Sequence, residues 1–197
     1  MNVWRWRWVL NLPNWFLPFY ERALGAMAHH KDKEILDRLF PAIREYQKLA
    51  STHGIGDVFQ DNGGKLLQTL LILNLRATGS REGNDAVADE GNEYELKTVN
   101  IVLTSSFSTH HHLNPIIIDK YRKVKAWYFS IYRGIELMEI YHMEIRELDV
   151  YFSKWERKWR ESKRDINNPK IPVKFVRERG KLVFENPAPG EGGITKR

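Results

Sequence analysis

Asn92-Glu93-Tyr94-Glu95-Leu96-Lys97-Thr98-Val99-Asn100-Ile101-Val102-Leu103 is the stretch on which the fold turns. Its residues run with a period of two, so Glu95, Lys97 and Val99 share one face of a strand while Tyr94, Leu96 and Thr98 share the other. Upstream the period is helical. Ile35, Leu36, Leu39, Phe40, Ile43, Tyr46 and Leu49 recur at helical spacing between Lys31 and Gly54, which predicts an amphipathic helix, bent or restarted at Pro41. The turn signal Asp61-Asn62-Gly63-Gly64 leads into a second, buried helix over Lys65 to Leu75, and the polar segment from Arg76 to Asn84 reads as a loop. Downstream, strands are expected at Ala126 to Tyr132 and Ile135 to Tyr141, joined by a tight turn at Arg133-Gly134. A helix follows over Leu148 to Trp159, and Lys170 to Phe184 reads as a closing hairpin around Arg179-Gly180.

At 197 residues the chain has room for one domain with an ordinary core. It contains no cysteine, which removes disulfides, thiolate metal sites and cysteine nucleophiles together and makes a cytoplasmic location the expectation. The formal net charge of +6 and a pI near 9.4 suit a polyanionic partner. The basic residues are densest after Ile145, where Lys154, Arg157, Lys158, Arg160, Lys163 and Arg164 are interleaved with Trp155 and Trp159. Such a run is either a solvated helix face or a surface that tracks a DNA backbone. Near the start, Trp4, Trp6, Trp8 and Trp15 alternate with Arg5 and Arg7 among Pro13 and Pro18. That pattern has no unbroken apolar region, so it is neither a signal peptide nor a membrane span.

Asp85, Glu95 and Lys97 carry the chemistry. Glu95 and Lys97 point the same way from one strand, and Asp85, ten positions before Glu95, can reach their side from the preceding segment. Two carboxylates make a hard oxygen site suited to Mg²⁺, which takes few protein ligands and keeps room for water and phosphate oxygens. A lysine beside them can lower the pKa of the attacking water or stabilise charge growing on a phosphate. The plain alternative is an exposed strand carrying an ordinary ion pair.

Longer strings extend the pattern: Phe59-Gln60-Asp61-Asn62-Gly63-Gly64-Lys65-Leu66-Leu67-Gln68, Arg81-Glu82-Gly83-Asn84-Asp85-Ala86-Val87, Glu93-Tyr94-Glu95-Leu96-Lys97, Phe107-Ser108-Thr109-His110-His111-His112, Lys154-Trp155-Glu156-Arg157-Lys158-Trp159 and Asp165-Ile166-Asn167-Asn168-Pro169-Lys170-Ile171-Pro172-Val173-Lys174. With these, the sequence from about Asp32 to Leu182 resembles the PvuII family of type II restriction endonucleases, within the PD-(D/E)xK nucleases. It departs at Lys125-Ala126, a one-residue insertion offset by a shorter loop near Ser162 to Arg164.

The resemblance implies an α/β fold with a mixed central sheet flanked by helices and an N-terminal helical dimerisation region. It also implies a Mg²⁺-dependent homodimer that cuts double-stranded DNA at CAGCTG to blunt ends, in a system with a cognate methyltransferase. Residue by residue, it implies Asp85 and Glu95 as metal ligands, Lys97 as the catalytic lysine and Tyr121 in a lesser role near the metal. Asp61 is implied as a minor-groove contact, Ser108, His111 and His112 as guanine readers, and Asn167 with Asn168 as readers of the A·T pair. Amide and imidazole groups suit those tasks, since Asn pairs bidentately with adenine and a histidine N–H donates to guanine. Otherwise the histidines read as a surface cluster or a transition-metal site, and Asn167-Asn168-Pro169 as a plain turn. Rival functions are a structure-specific or repair nuclease with the same core, and a DNA-binding relative without catalysis. The expected organisation is an extension over 1–26, with Met27 as the functional start, a single endonuclease domain over 27–185 and a disordered tail over 186–197.

Overall fold

The computed structural model describes residues 30–78 and 85–186. The expectations for 1–26 and for the tail from residue 187 lie outside the described residues. The chain divides into two units, Met1–Arg44 and Glu45–Arg197.

Helix α1, Lys33–Thr52, contains Pro41 and continues through it, so of the expected bend or restart the restart does not occur. Proline's fixed φ is helical, so losing one N–H donor weakens a long helix locally without ending it. In the first unit, Lys33 and Asp37 pair across one turn at 2.5 Å, and Ile35, Leu36, Leu39 and Phe40 are exposed.

The second unit is built on a six-stranded sheet in the order β1-β2-β3-β5-β6-β8. Its strands are β1, Arg76–Ala77; β2, Ala86–Val87; β3, Glu93–Asn100; β5, Ala126–Arg133; β6, Glu136–Glu144; and β8, Lys181–Glu185. Among the described strands only β3 and β5 run parallel, with Glu95 opposite Trp127 and Lys97 opposite Phe129. The sheet is therefore mixed, as expected. A second sheet pairs β4, Ser106–Ser108, with β7, Lys170–Pro172. The parallel pairing needs a crossover, which β4 and helix α3, Pro115–Lys123, supply. The side chain of Asn114 starts α3 by accepting the main-chain N–H groups of Ile116 and Ile117, ahead of a proline at the first helical position.

Burial divides along the faces predicted for β3. Val99 joins Phe107, Ile118, Tyr121, Trp127, Phe129, Phe152 and Trp155 in the larger core, beneath α3 and helix α4, Ile145–Ser162. Leu96 joins Ile55, Val58, Leu67 and Leu70 in the other, beneath helix α2, Gly63–Leu73. Buried hydroxyls tie α2 to β5: Thr69 bonds Ser130 at 3.0 Å, and Tyr132 donates to the Lys65 carbonyl at 2.8 Å. Burying these hydroxyls unpaired would be unfavourable, so the network fixes α2 against the sheet.

The closing hairpin is corrected. Lys170–Pro172 is a strand, but Val173–Arg179 forms helix α5, and only Lys181–Glu185 returns to the sheet, against β6. Val173 and Val176, three apart, both enter the larger core. Three-residue spacing is helical, although apolar and charged residues in this stretch also mimic alternation. Gly180 ends α5 where a β-carbon would lie 2.7 Å from the Val176 carbonyl oxygen. In the basic run on α4, the cations are exposed, whereas Trp155 is buried and Trp159 packs against the larger core. The aromatic residues there anchor the helix.

Candidate active site

Asp85 stands immediately before β2, which pairs antiparallel with β3. Its Oδ2 accepts the Leu96 main-chain N–H at 3.0 Å, so a hydrogen bond to the middle of β3 fixes the carboxylate where sequence only allowed it to reach. Glu95 and Lys97, on one face of β3, form an ion pair through Oε1 and Nζ. The pair is well covered, with side-chain exposures of 6% for Glu95 and 12% for Lys97. An exposed strand with an ordinary surface ion pair is thereby excluded.

Burial pushes the Glu95 carboxyl up to about 7; Lys97 opposes this and Asp85 adds to it. For Lys97, burial acts downward, but Glu95, Tyr121 and Asp85 outweigh it and hold the ammonium above its ordinary pKa. The lysine is thus a fixed positive charge at neutral pH. Its Nζ lies 5.3 Å from the ring centre of Tyr121 and 5.5 Å from that of Trp127, so two aromatic faces form its floor. Tyr121, on α3, is buried and meets Trp127 edge to face at 4.6 Å. Burial raises its phenol to about 12, so Tyr121 keeps its proton and acts as a neutral group.

The proposed base-reading residues come together through the small sheet. Ser108 ends β4 and His111 and His112 follow it, while Asn167 and Asn168 precede β7. Beyond the ladder, the Leu113 and Ile166 main chains bond each other reciprocally at 3.0 and 2.8 Å. The Thr109 N–H donates to Asn168 Oδ1 at 3.1 Å, the Thr109 hydroxyl donates to the Pro169 carbonyl at 2.7 Å, and the Asn168 N–H donates to the His110 carbonyl at 2.9 Å. Asn168 is left-handed, φ 44°, so Asn167-Asn168-Pro169 is a turn, but one stitched to the histidine segment. Asn168 Oδ1 keeps a second lone pair, and its amide N–H groups have no role in that stitch.

Asp61 comes from the other side of the sheet. It is exposed at the turn before α2, where Asp61 and Asn62 are both left-handed, at φ 48° and 63°. The turn is specific for the glycine that follows: a β-carbon on Gly63 would lie 2.3 Å from the Asp57 carbonyl oxygen.

Sequence reasoning passed over His110 and Trp127. The His110 Nδ1 accepts the His112 N–H at 3.0 Å, and burial followed by the positive charge of Lys97 lowers its pKa, so it is neutral at pH 7. Of the three histidines, His110 is the one whose lowered pKa has the charge of Lys97 among its causes. Three identical residues in a row carry no signal of which one turns inward. Trp127 lies opposite Glu95 across the β3–β5 ladder, a register that only the parallel pairing reveals.

Two carboxylates, one pinned by a main-chain N–H and one buried beside a lysine, are the kind of oxygen donor that suits a hard divalent cation. The family model of restriction endonuclease PvuII matches residues 31–184, which contain every one of these side chains. Enzymes of that family work with a divalent metal ion on double-stranded DNA. The chain therefore belongs to the PvuII restriction endonuclease family and is a type II site-specific deoxyribonuclease, a hydrolase of DNA phosphodiester bonds.

Proposed function

We propose that this chain is a Mg²⁺-dependent homodimeric endonuclease that recognises CAGCTG and cuts both strands between the central G and C. The observation that carries the chemistry is the Asp85 carboxylate tied to the Leu96 N–H beside the buried Glu95–Lys97 pair. Asp85 and Glu95 would hold the metal ion; when bound, it supplies a Lewis acid at the scissile phosphate and makes the attacking water more acidic. Lys97 stays protonated and offers its charge and N–H donors to the phosphate as negative charge grows there, in a site too dry for bulk water to screen it. Tyr121 and Trp127 hold that ammonium in place. An uncatalysed phosphodiester requires its barrier to be lowered by roughly 20 kcal/mol, which positioned charges can approach together and none supplies alone.

Ser108, His111, His112, Asn167 and Asn168 would read the major groove as one unit, with Asp61 reaching the minor groove from the α2 side. A palindromic site implies a twofold protein. The exposed Ile35, Leu36, Leu39 and Phe40 on α1 support dimerisation through that helix, since a contiguous apolar stripe in water favours burial against a second copy. Among the described residues no helix is long and apolar enough to cross a membrane. The enzyme would act in the cytoplasm, with a cognate methyltransferase protecting host DNA.

The test is to incubate the purified protein and Mg²⁺ with a plasmid bearing a few CAGCTG sites. Discrete fragments with blunt ends mapping to those sites support the assignment. Discrete fragments at another sequence overturn the site, and smearing overturns sequence-specific cleavage.

A further inference from the structure

Serine is an ambiguous reader. Its hydroxyl donates one hydrogen bond and accepts two, so it can meet guanine O6 or N7 as a donor and an exocyclic amino group of adenine or cytosine as an acceptor. Ser108 is not in that open condition. It faces Lys170 directly across the β4–β7 pair, and the Lys170 Nζ donates to the Ser108 Oγ at 2.6 Å. Directly opposed residues on paired strands project to the same side, so the contact follows from the register. That register is itself fixed on both flanks. Phe107 and Ile171, opposite each other, are buried in the larger core, and Thr109 locks onto Pro169 and Asn168.

We propose that Lys170 is a specificity-determining positioning residue, which makes the Ser108 hydroxyl a hydrogen-bond donor before DNA arrives. The ammonium occupies one oxygen lone pair and strengthens the O–H as a donor. It also lays positive potential against any amino group that would approach the same oxygen. The hydroxyl proton is left for an acceptor edge, which guanine presents in the major groove through both O6 and N7. Both side chains are exposed in the free protein, where water competes for them. Docked DNA removes that water, and the preference counts most at the moment of reading.

The inference rests on the reading of Ser108 as a base contact, and the test separates the two. Values of kcat/KM are measured for a cognate CAGCTG duplex and for duplexes with one base pair changed, using the parent protein, Ser108→Ala, Lys170→Met and the double variant. Binding to random-sequence DNA and melting temperature are followed alongside. The expected result is that Lys170→Met lowers discrimination about three- to tenfold at the base pair where Ser108→Ala also lowers it, and adds nothing in the Ser108→Ala background. The melting temperature should hold, because Lys170 is exposed. An equal loss on every sequence, random DNA included, would make Lys170 a phosphate contact and overturn the proposal. A penalty that persists without the Ser108 hydroxyl would overturn it too, because the lysine would then act directly. If Ser108→Ala leaves every ratio unchanged while Asn168→Gly lowers one, the base-reading role of Ser108 is what fails.

Discussion

Replacing Lys97 by methionine removes the cation paired with a carboxylate that is only 6% exposed, and the consequence can be worked out in sign and size. In the parent protein without metal, burial raises the Glu95 carboxyl from 4.5 to about 7. The folded state then holds a proton that the unfolded state has released. Stability from this group is fully present below 4.5, declines as pH rises and is lost above 7. Lys97 is the strongest influence opposing that rise, so its removal moves the Glu95 pKa further up and extends the decline beyond 7. While the folded carboxyl is neutral and the unfolded one ionised, unfolding free energy falls by about 1.4 kcal/mol per pH unit, or about 3 kcal/mol between pH 6 and 8. The isolating comparison is Lys97→Met against Lys97→Met with Glu95→Gln, where glutamine keeps the shape and cannot titrate. Urea unfolding of both in a metal chelator, at pH 6, 7 and 8, should show the difference between them falling as pH rises, by up to that amount. A difference that stays flat would mean Glu95 is ionised in the folded variant, and the argument from burial would be refuted.

Other expectations concern function more directly. Glu95→Ala and Lys97→Ala should abolish cleavage while site-specific binding survives in a mobility-shift assay, because the proposed base contacts are other residues; loss of specific binding by a folded Lys97 variant would count against the assignment. His111→Ala and Asn168→Gly should each lose on the order of 1 to 3 kcal/mol of discrimination at one base pair with little change on random DNA. Glycine is the cleaner replacement at residue 168, since it keeps the left-handed backbone at φ 44°. Glutamates at Leu36 and Leu39, which are 50% and 53% exposed on α1, should convert a dimer to monomer in sedimentation; an unchanged dimer would place the interface elsewhere.

The alternation of Glu93 to Asn100, the helical stripe from Ile35 to Leu49 and the Asp85, Glu95, Lys97 spacing were legible in the sequence because each depends on residues close together along the chain. A period of two or of 3.6 is a local property, and the faces it predicted for β3 are those that enter the two cores. Where two local patterns overlapped, the sequence misled. Lys170 to Phe184 reads as a hairpin because apolar and charged residues in α5 also satisfy alternation, and packing of Val173 and Val176 into one core decides for a helix over Val173–Arg179. Likewise Pro41 marks a weak point without saying whether the helix survives it. Sequence alone could bring Asp85 within reach of Glu95 but could not supply the Leu96 N–H that holds it. Nor could it show that segments nearly sixty residues apart, around Thr109 and Asn168, are stitched together, or that the His110 pKa is lowered in part by the charge of Lys97. The residue types needed for the chemistry are written along the chain. Their burial, hydrogen-bond partners and charge states belong to strand pairings between distant segments, which form only when the whole sheet does.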